Sequence, residues 1–237
     1  MPAMILTPVK AWWAMIPAEK VKVLVWSEYT EPKDPYPQGI HGEIASFLNL
    51  HPNVEARTAQ ITDVAYGLSQ AALDQSEVLY WWGHAKHGEV GDDAVERVVS
   101  RVKDGGMGFV AIHSSHFSKP FKALMGTECS LGSWDEDGLP ERVHVETASH
   151  PIAKGIRDFI IERTETYREP FDVPVPKEII FTSVFHDGAK FRSGLTWEVG
   201  KGRIFYFRPG HETYPVMMNP SVRRILTNAA LWASRRT

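Results

Sequence analysis

At residues 92–116 the chain reads DDAVERVVSRVKDGGMGFVAIHSSH, which predicts a helix that passes directly into a buried strand. Four valines recur at helical spacing, and Gly105-Gly106 ends the helix with residues that tolerate positive φ. The apolar run at 107–112 is typical of a strand buried on both faces of a parallel sheet. Open α/β folds bind ligands at the carboxyl edge of such strands. We therefore expect the functional site beside His113.

Outward from this unit, short apolar runs alternate with helical patterns. Strands are predicted, in chain order, at 21–26, 54–58, 78–82, 107–112, 142–146, 178–185, 193–199 and 203–207. Ser221 caps a final helix with an apolar stripe, whereas 127–140 and 156–175 show no clear period. The alternation favours an α/β fold with a mostly parallel central sheet.

The composition is that of an ordinary globular protein. Of 237 residues, 43% are hydrophobic, and the formal net charge of −3 argues against a nucleic-acid partner. The single cysteine, Cys129, excludes an internal disulfide and suits a reducing compartment, so we expect a cytoplasmic protein.

The apolar N-terminal stretch is too short to span a bilayer, and we expect no membrane partner. We interpret residues 1–20 as an arm that packs on the body or on a partner subunit, and residues 21–237 as a single domain. Trp12 and Trp13 in this arm make a homo-oligomer our hypothesis.

Histidines recur where the predicted strands end. Six of the ten follow a strand or lie in the first turn of the next helix: His41, His84, His87, His113, His116 and His211. The carboxyl ends of parallel neighbours share one crevice, so these side chains can converge. Imidazole binds zinc and other divalent ions, and it is also the usual general acid–base group. Residue type alone leaves both roles open, and a lone histidine is more often a loop residue or a buried hydrogen-bonding group.

Two further patterns bear on chemistry. In His211-Glu212 the carboxylate can orient an imidazole, as in a catalytic triad, yet neither G-x-S-x-G nor G-x-C-x-G supplies a nucleophile near Ser114. Trp26, Trp82 and Tyr167 lie near strand ends and could stack on a sugar ring, although buried aromatics are more common in the core.

A set of motifs extends from about Val21 to Trp232. Its pieces are the strand Val21–Trp26, Gly39-Ile-His-Gly42, Trp81-Trp-Gly-His84 with His87, Gly108 to Ser114, Gly126-Thr-Glu-Cys129, Ser149-His-Pro-Ile152 with Gly155, Glu165-Thr-Tyr167, and Gly202 to Glu212. Together they resemble the ThuA-like (trehalose utilisation) proteins of the class I glutamine amidotransferase-like superfamily. That resemblance implies a flavodoxin-like three-layer sandwich.

In the glutamine amidotransferases the strand-to-helix elbow carries a cysteine, and a later strand is followed by His-Pro-Glu. This chain has His113 near the elbow and Gly210-His211-Glu212 in the later place. The resemblance therefore argues against glutamine hydrolysis.

The resemblance implies a role in disaccharide catabolism, with sugars oxidised at carbon 3 as substrates. Protons beside the carbonyl of such a sugar are acidic, and a divalent metal such as zinc can stabilise the charge that their removal leaves. We expect a metal-assisted isomerisation or elimination on a 3-keto-glycoside. His84, His113 and His211 would hold the metal or relay protons, with Glu165 and Glu212 as base or orienting carboxylates.

Alternatives of other classes remain. The protein could be a sugar- or metal-binding module on an amidotransferase-like scaffold, without catalysis. It could also be a hydrolase that uses Ser114 with His211-Glu212. Without a metal, His211 and Glu165 could perform acid–base chemistry.

Overall fold

One nine-stranded sheet organises residues 19–236, the part of the chain that the computed structural model describes. Its strands are β1 (Val21–Ser27), β2 (Val54–Gln60), β3 (Val78–Trp82), β4 (Gly108–Ile112), β5 (Ser133–Val145), β6 (Phe159–Arg168), β7 (Glu178–Phe185), β8 (Lys190–Val199) and β9 (Gly202–Phe207). The helices are α1 (Gly39–Leu48), α2 (Gln70–Asp74), α3 (Asp92–Lys103), α4 (Lys119–Met125) and α5 (Pro220–Ala233). The fold class is therefore mixed α/β with a single large sheet.

The strand order is β2-β1-β3-β4-β9-β8-β7-β5-β6, and the sheet divides into two halves. From β2 to β9 all neighbours are parallel. If β9 is counted as the fifth strand of this half, the order is 2-1-3-4-5, which is known from flavodoxin-like folds. From β9 to β6 all neighbours are antiparallel. The expectation of a mostly parallel sheet is thus wrong for the second half. The connections at 186–189 and 200–201 are too short for the crossover that a parallel pair needs.

Sequence patterns missed most of the hairpin formed by β5 and β6. The predicted strand at 142–146 is the end of a longer strand that begins at Ser133, and β6 lies within 156–175, where the sequence pattern predicts no strand. Register shifts interrupt the pairing on either side of Leu139. In β6 the four residues 164–167 are buried consecutively, so polar and apolar residues do not alternate there. Both features remove the period of two that identifies a half-exposed strand.

The core lies on both faces of the sheet, which gives three layers. Val23 and Val25 of β1 pack on the face covered by α1 and α5. Leu24 and Trp26 point to the opposite face, which α3 and α4 cover. Strand side chains alternate between faces, and in the parallel half both faces are apolar because helices cover both.

Most of the predicted N-terminal arm, residues 1–20, lies outside the described residues. Among residues 19–236, no helix is both long and apolar enough to cross a membrane.

Candidate functional site

Three histidines converge where adjacent parallel strands end. His84 follows β3, His113 follows β4 and His211 follows β9, and these strands are neighbours in the sheet. The ring centroids of His84 and His113 lie 5.8 Å apart, and each lies 5.2 Å from that of His211. The convergence predicted from the strand ends is therefore found for these three.

Glu212 completes a group of four that we call the His–Glu cluster: His84, His113, His211 and Glu212. One ligand atom from each lies within 4.8 Å of the others. A tetrahedral zinc with bonds near 2.1 Å places its ligand atoms about 3.4 Å apart. Small side-chain movements would therefore bring these atoms to the spacing that a divalent ion needs.

His113 is held in an orientation that leaves one nitrogen free. Its backbone has a φ of 58°, an uncommon value for a residue other than glycine. Nδ1–H donates a hydrogen bond of 3.1 Å to the carbonyl of Arg208, so the lone pair of the neutral ring is on Nε2. Nε2 is buried without a hydrogen-bond partner among the described residues. Burial lowers the pKa of His113 well below its ordinary value, and the ring is therefore neutral.

Glu165 of β6 lies against this free nitrogen. Its Oε2 atom is 3.2 Å from Nε2 of His113, and it too has no hydrogen-bond partner among the described residues. Burial raises the pKa of Glu165 to about 7. A carboxyl group with this pKa can both accept and release a proton near neutral pH.

His84 and Glu212 form the polar contact on the other side of the cluster. Nδ1–H of His84 donates to Oε1 of Glu212, and this hydrogen bond raises the pKa of His84. Burial alone would raise the pKa of Glu212, but the hydrogen bond with His84 and the nearby histidines lower it to about 2. Nδ1 of His211 lies 2.9 Å from Oγ1 of Thr213, which orients the third ring.

Glu28 positions the loop that carries His84, and sequence patterns did not single it out. The side chain is buried, and its Oε2 accepts backbone N–H groups of residues 84, 85 and 86 at 2.9, 2.7 and 2.8 Å. A Cβ at Gly83 would lie 2.7 Å from Oε1 of Glu28, so this close approach requires glycine. In the sequence Glu28 is only an acidic residue after a strand, which is a weak signal.

Replacing Glu28 with alanine is expected to lower the free energy of unfolding by about 3 kcal/mol, because three backbone N–H groups lose a buried, charged acceptor. Urea denaturation measures this loss. Glu89→Ala is the control, since the Glu89 carboxylate lies 3.5 Å from Nζ of Lys86 in an exposed ion pair of the same loop, and its loss should cost less than about 1 kcal/mol. Equal losses in the two variants would contradict the role given to Glu28.

The other three predicted histidines do not join the His–Glu cluster. Nδ1 of His41 lies 3.3 Å from Oγ of Ser27, close to the end of β1. His87 lies beside Glu28, at 3.6 Å, and borders the cavity next to the cluster. His116 is fully buried, and its Nδ1–H donates to the carbonyl of Cys129 at 2.8 Å.

His116 should make stability depend on pH. Burial lowers its pKa to about 3, whereas in the unfolded chain the pKa is about 6.5. Between these values only the unfolded chain binds the proton, so stability falls as the pH falls from 6.5 towards 3. His116→Gln should lower the slope of unfolding free energy against pH by up to about 1.4 kcal/mol per unit. Urea midpoints measured from pH 7 to pH 4 test this, and parallel slopes for the two proteins would contradict it.

Of the aromatic residues predicted to contact substrate, one borders the cavity beside the cluster. Trp26 and Trp82 are buried, and their indole N–H groups donate to the carbonyls of Tyr66 and Gly210. Neither presents a ring face to a ligand. Tyr167 lines a cavity of about 170 Å³ together with His84, His87, Ser114 and Glu165. A larger groove of about 770 Å³ along α1 and α5 is lined by none of the six predicted histidines.

The serine at the elbow is already occupied by a structural hydrogen bond. Ser114 Oγ donates to the carbonyl of Gly83 at 2.7 Å. The residue with the positive φ expected of an elbow nucleophile is His113. Cys129 does not replace the missing nucleophile, because it is buried and burial raises the pKa of its thiol to about 11. This geometry weighs against the serine-hydrolase alternative.

The fold of the chain is shared with a glutaminase domain of known structure. The glutaminase domain of the CTPS of Trypanosoma brucei, solved with bound acivicin, shares the fold with a TM-score of 0.52 at 10% identity, over 92% of this chain and 95% of that one. A ThuA-like protein from Parabacteroides merdae gives a TM-score of 0.70 at 16% identity, over 91% and 90%. Another from Bacteroides uniformis gives 0.67 at 16%, over 98% and 95%.

The family model described as ThuA, trehalose utilisation, matches residues 22–233, and the chain therefore belongs to the ThuA family. This confirms the resemblance seen in the motifs. No curated protein sequence matches the chain.

Proposed function

We propose that the protein acts in sugar catabolism by metal-assisted acid–base chemistry on a 3-keto-glycoside. The observation that carries the proposal is the His–Glu cluster with Glu165 beside it, at the carboxyl edge of the parallel strands. The family description, trehalose utilisation, supports a glycoside as the substrate.

The donor set fits a divalent ion such as zinc. Three imidazoles and one carboxylate are ligands that zinc commonly takes. The free Nε2 of His113 supports this assignment, because a buried nitrogen without a partner is costly unless a ligand occupies it. The hydrogen bond from Nδ1–H to the carbonyl of Arg208 fixes the tautomer that a metal ligand requires.

A bound divalent ion would polarise the carbonyl oxygen of the keto-sugar and stabilise the negative charge that proton removal leaves on it. Glu165 would take the proton from carbon 2, next to the carbonyl at carbon 3. In an isomerisation the proton returns to carbon 3 and the hydroxyl proton on the oxygen of carbon 2 moves to the oxygen of carbon 3, so the carbonyl passes from carbon 3 to carbon 2. In an elimination the C2–H electrons form the C1=C2 bond while the C1–O bond breaks, and Glu165 gives its proton to the departing oxygen.

Two measurements on the full chain, purified without a histidine tag, test this function. Plasma mass spectrometry should find about one zinc or similar divalent ion per chain. In deuterated water, proton spectroscopy should show exchange at carbon 2 of 3-keto-trehalose, and chelation should abolish it.

Other results would lead to the alternatives. Exchange that persists without metal would favour metal-free acid–base chemistry by Glu165 and His211. Saturable sugar binding with neither exchange nor product would favour a binding module. Absence of metal, binding and exchange would contradict the proposal altogether.

A further inference from the structure

Trp134 is the one tryptophan among residues 19–236 that is largely exposed. Its exposed fraction is 57%, whereas the other five described tryptophans are at most 6% exposed. Trp134 lies in β5 and pairs with Tyr167 of β6. Residues directly opposite each other in an antiparallel pair share a face of the sheet, and Glu165 shares it too, two residues away. All three line the cavity beside the His–Glu cluster.

The remaining wall of this cavity is apolar. Phe117 stands edge-on to Trp134 with ring centroids 6.3 Å apart, and Leu131 adds an aliphatic surface. The cavity is also lined by ionisable groups, among them His84 and Glu165. A pyranose ring has the matching character, since its C–H face is apolar and its hydroxyl edge is polar. Aromatic faces pack well against such C–H surfaces.

The volume of the cavity sets how much of a sugar it can hold. The volume of the cavity is about 170 Å³. One pyranose ring fills a space of this order, and a disaccharide needs considerably more. Trp134 lines the cavity and is largely exposed, so the cavity meets solvent at this residue, and a second unit would emerge there.

We infer that the cavity is a subsite for a single sugar ring that stacks on Trp134, and that the second unit of a disaccharide stays outside. The inference takes the identity of the ligand as a sugar from the proposed function, and it adds the size and the stacking residue. Trp134 would thus determine specificity: the site accepts the terminal ring of a glycoside and tolerates different groups beyond it.

Calorimetric titration with methyl α-D-glucoside, trehalose and their 3-keto forms tests the subsite. The glucoside and trehalose should have Kd values within about threefold of each other, and so should their two 3-keto forms. Trp134→Ala should raise each Kd about tenfold, and Trp134→Phe should raise it less, because a smaller ring still stacks. Ile160→Ala is the control, since Ile160 lies exposed on β6 of the same hairpin and does not line the cavity.

Four results would overturn the inference. An unchanged Kd in Trp134→Ala would remove the stacking role, and trehalose binding more than tenfold tighter than the single ring would place both rings inside. Loss of a dimer in sedimentation, with sugar affinity unchanged, would assign Trp134 to an interface between copies. Absence of sugar binding in the unaltered protein would overturn it as well.

The subsite and the chemistry can fail separately. If sugar binding depends on Trp134 but no deuterium exchange occurs, the subsite is supported and the proposed reaction is wrong. If proton exchange is observed and Trp134→Ala leaves the Kd for the sugar unchanged, the proposed reaction is supported and the subsite is wrong.

Discussion

Replacing His113 with asparagine is expected to lower zinc affinity by more than about 100-fold and to slow proton exchange on the keto-sugar by a similar factor. Loss of a residue that only orients a ligand already costs about 10- to 100-fold, and His113 would be a ligand itself. Asparagine tolerates positive φ better than most residues, so the backbone at 113 should keep its conformation. Competition with a chelator of known affinity measures the zinc constant.

His116→Gln provides the matched control. His116 lies in the same turn, is equally buried, and is not part of the His–Glu cluster. Its replacement should leave zinc affinity within about threefold of the original. If His113→Asn retained both zinc and exchange, His113 would be a structural histidine and the proposed metal centre would be wrong.

Replacing Arg208 with methionine is expected to lower the free energy of unfolding by about 3–5 kcal/mol, a large part of the 5–15 kcal/mol typical of a folded domain. Arg208 and Glu141 form a fully buried ion pair behind the site. Burial lowers the pKa of Arg208 to about 9, so the side chain still carries its charge at neutral pH. Without it the carboxylate of Glu141 would remain buried, and among residues 19–236 its one remaining side-chain donor would be the hydroxyl of Ser183, at 2.5 Å. Urea denaturation measures the loss.

A second replacement separates stability from positioning. In the double variant with Glu141→Leu the unpaired charge is gone, so at least about 2 kcal/mol should return. The site should remain impaired, because Nη1 of Arg208 also donates to the carbonyl of Glu165 at 2.7 Å and to Thr164 at 3.1 Å. Exchange about tenfold slower than in the original protein is therefore expected even when folding recovers.

Lys177→Met is the control, because it removes a positive charge from an ion pair that is exposed instead of buried. Nζ of Lys177 lies 2.9 Å from Oε1 of Glu198, and both side chains are exposed, so the loss should be below about 1 kcal/mol. Equal effects of Arg208→Met and Lys177→Met would show that burial does not distinguish the two pairs.

Much of the parallel half of the fold could be predicted from the sequence. The runs at 21–26, 78–82 and 107–112 are apolar on both faces, and they form β1, β3 and β4 with boundaries shifted by one residue at most. The antiparallel half was harder, since β5 begins with an acidic, exposed segment and β6 does not alternate in polarity. In those strands the register shifts and the burial depend on the adjacent strands of the sheet, and the spacing of apolar residues within one segment carries no information about them.

The candidate site shows the same division. The rule that site histidines follow predicted strands identifies His84, His113 and His211. The same rule also identifies His116, which the fold buries away from them. Glu28 carried no distinguishing pattern, and its importance follows from three backbone hydrogen bonds 56–58 residues away along the chain.

What sequence reasoning established is the α/β class, the ThuA resemblance and the placement of histidines at strand ends. These follow from periods of two and of about 3.6 residues and from local motifs, which depend on residues only a few positions apart. Tertiary structure decided which of those histidines meet, because His84 reaches Glu212 across 128 residues and His113 reaches Arg208 across 95. Such contacts depend on β9 lying beside β4, and no pattern within a single segment specifies that strand order.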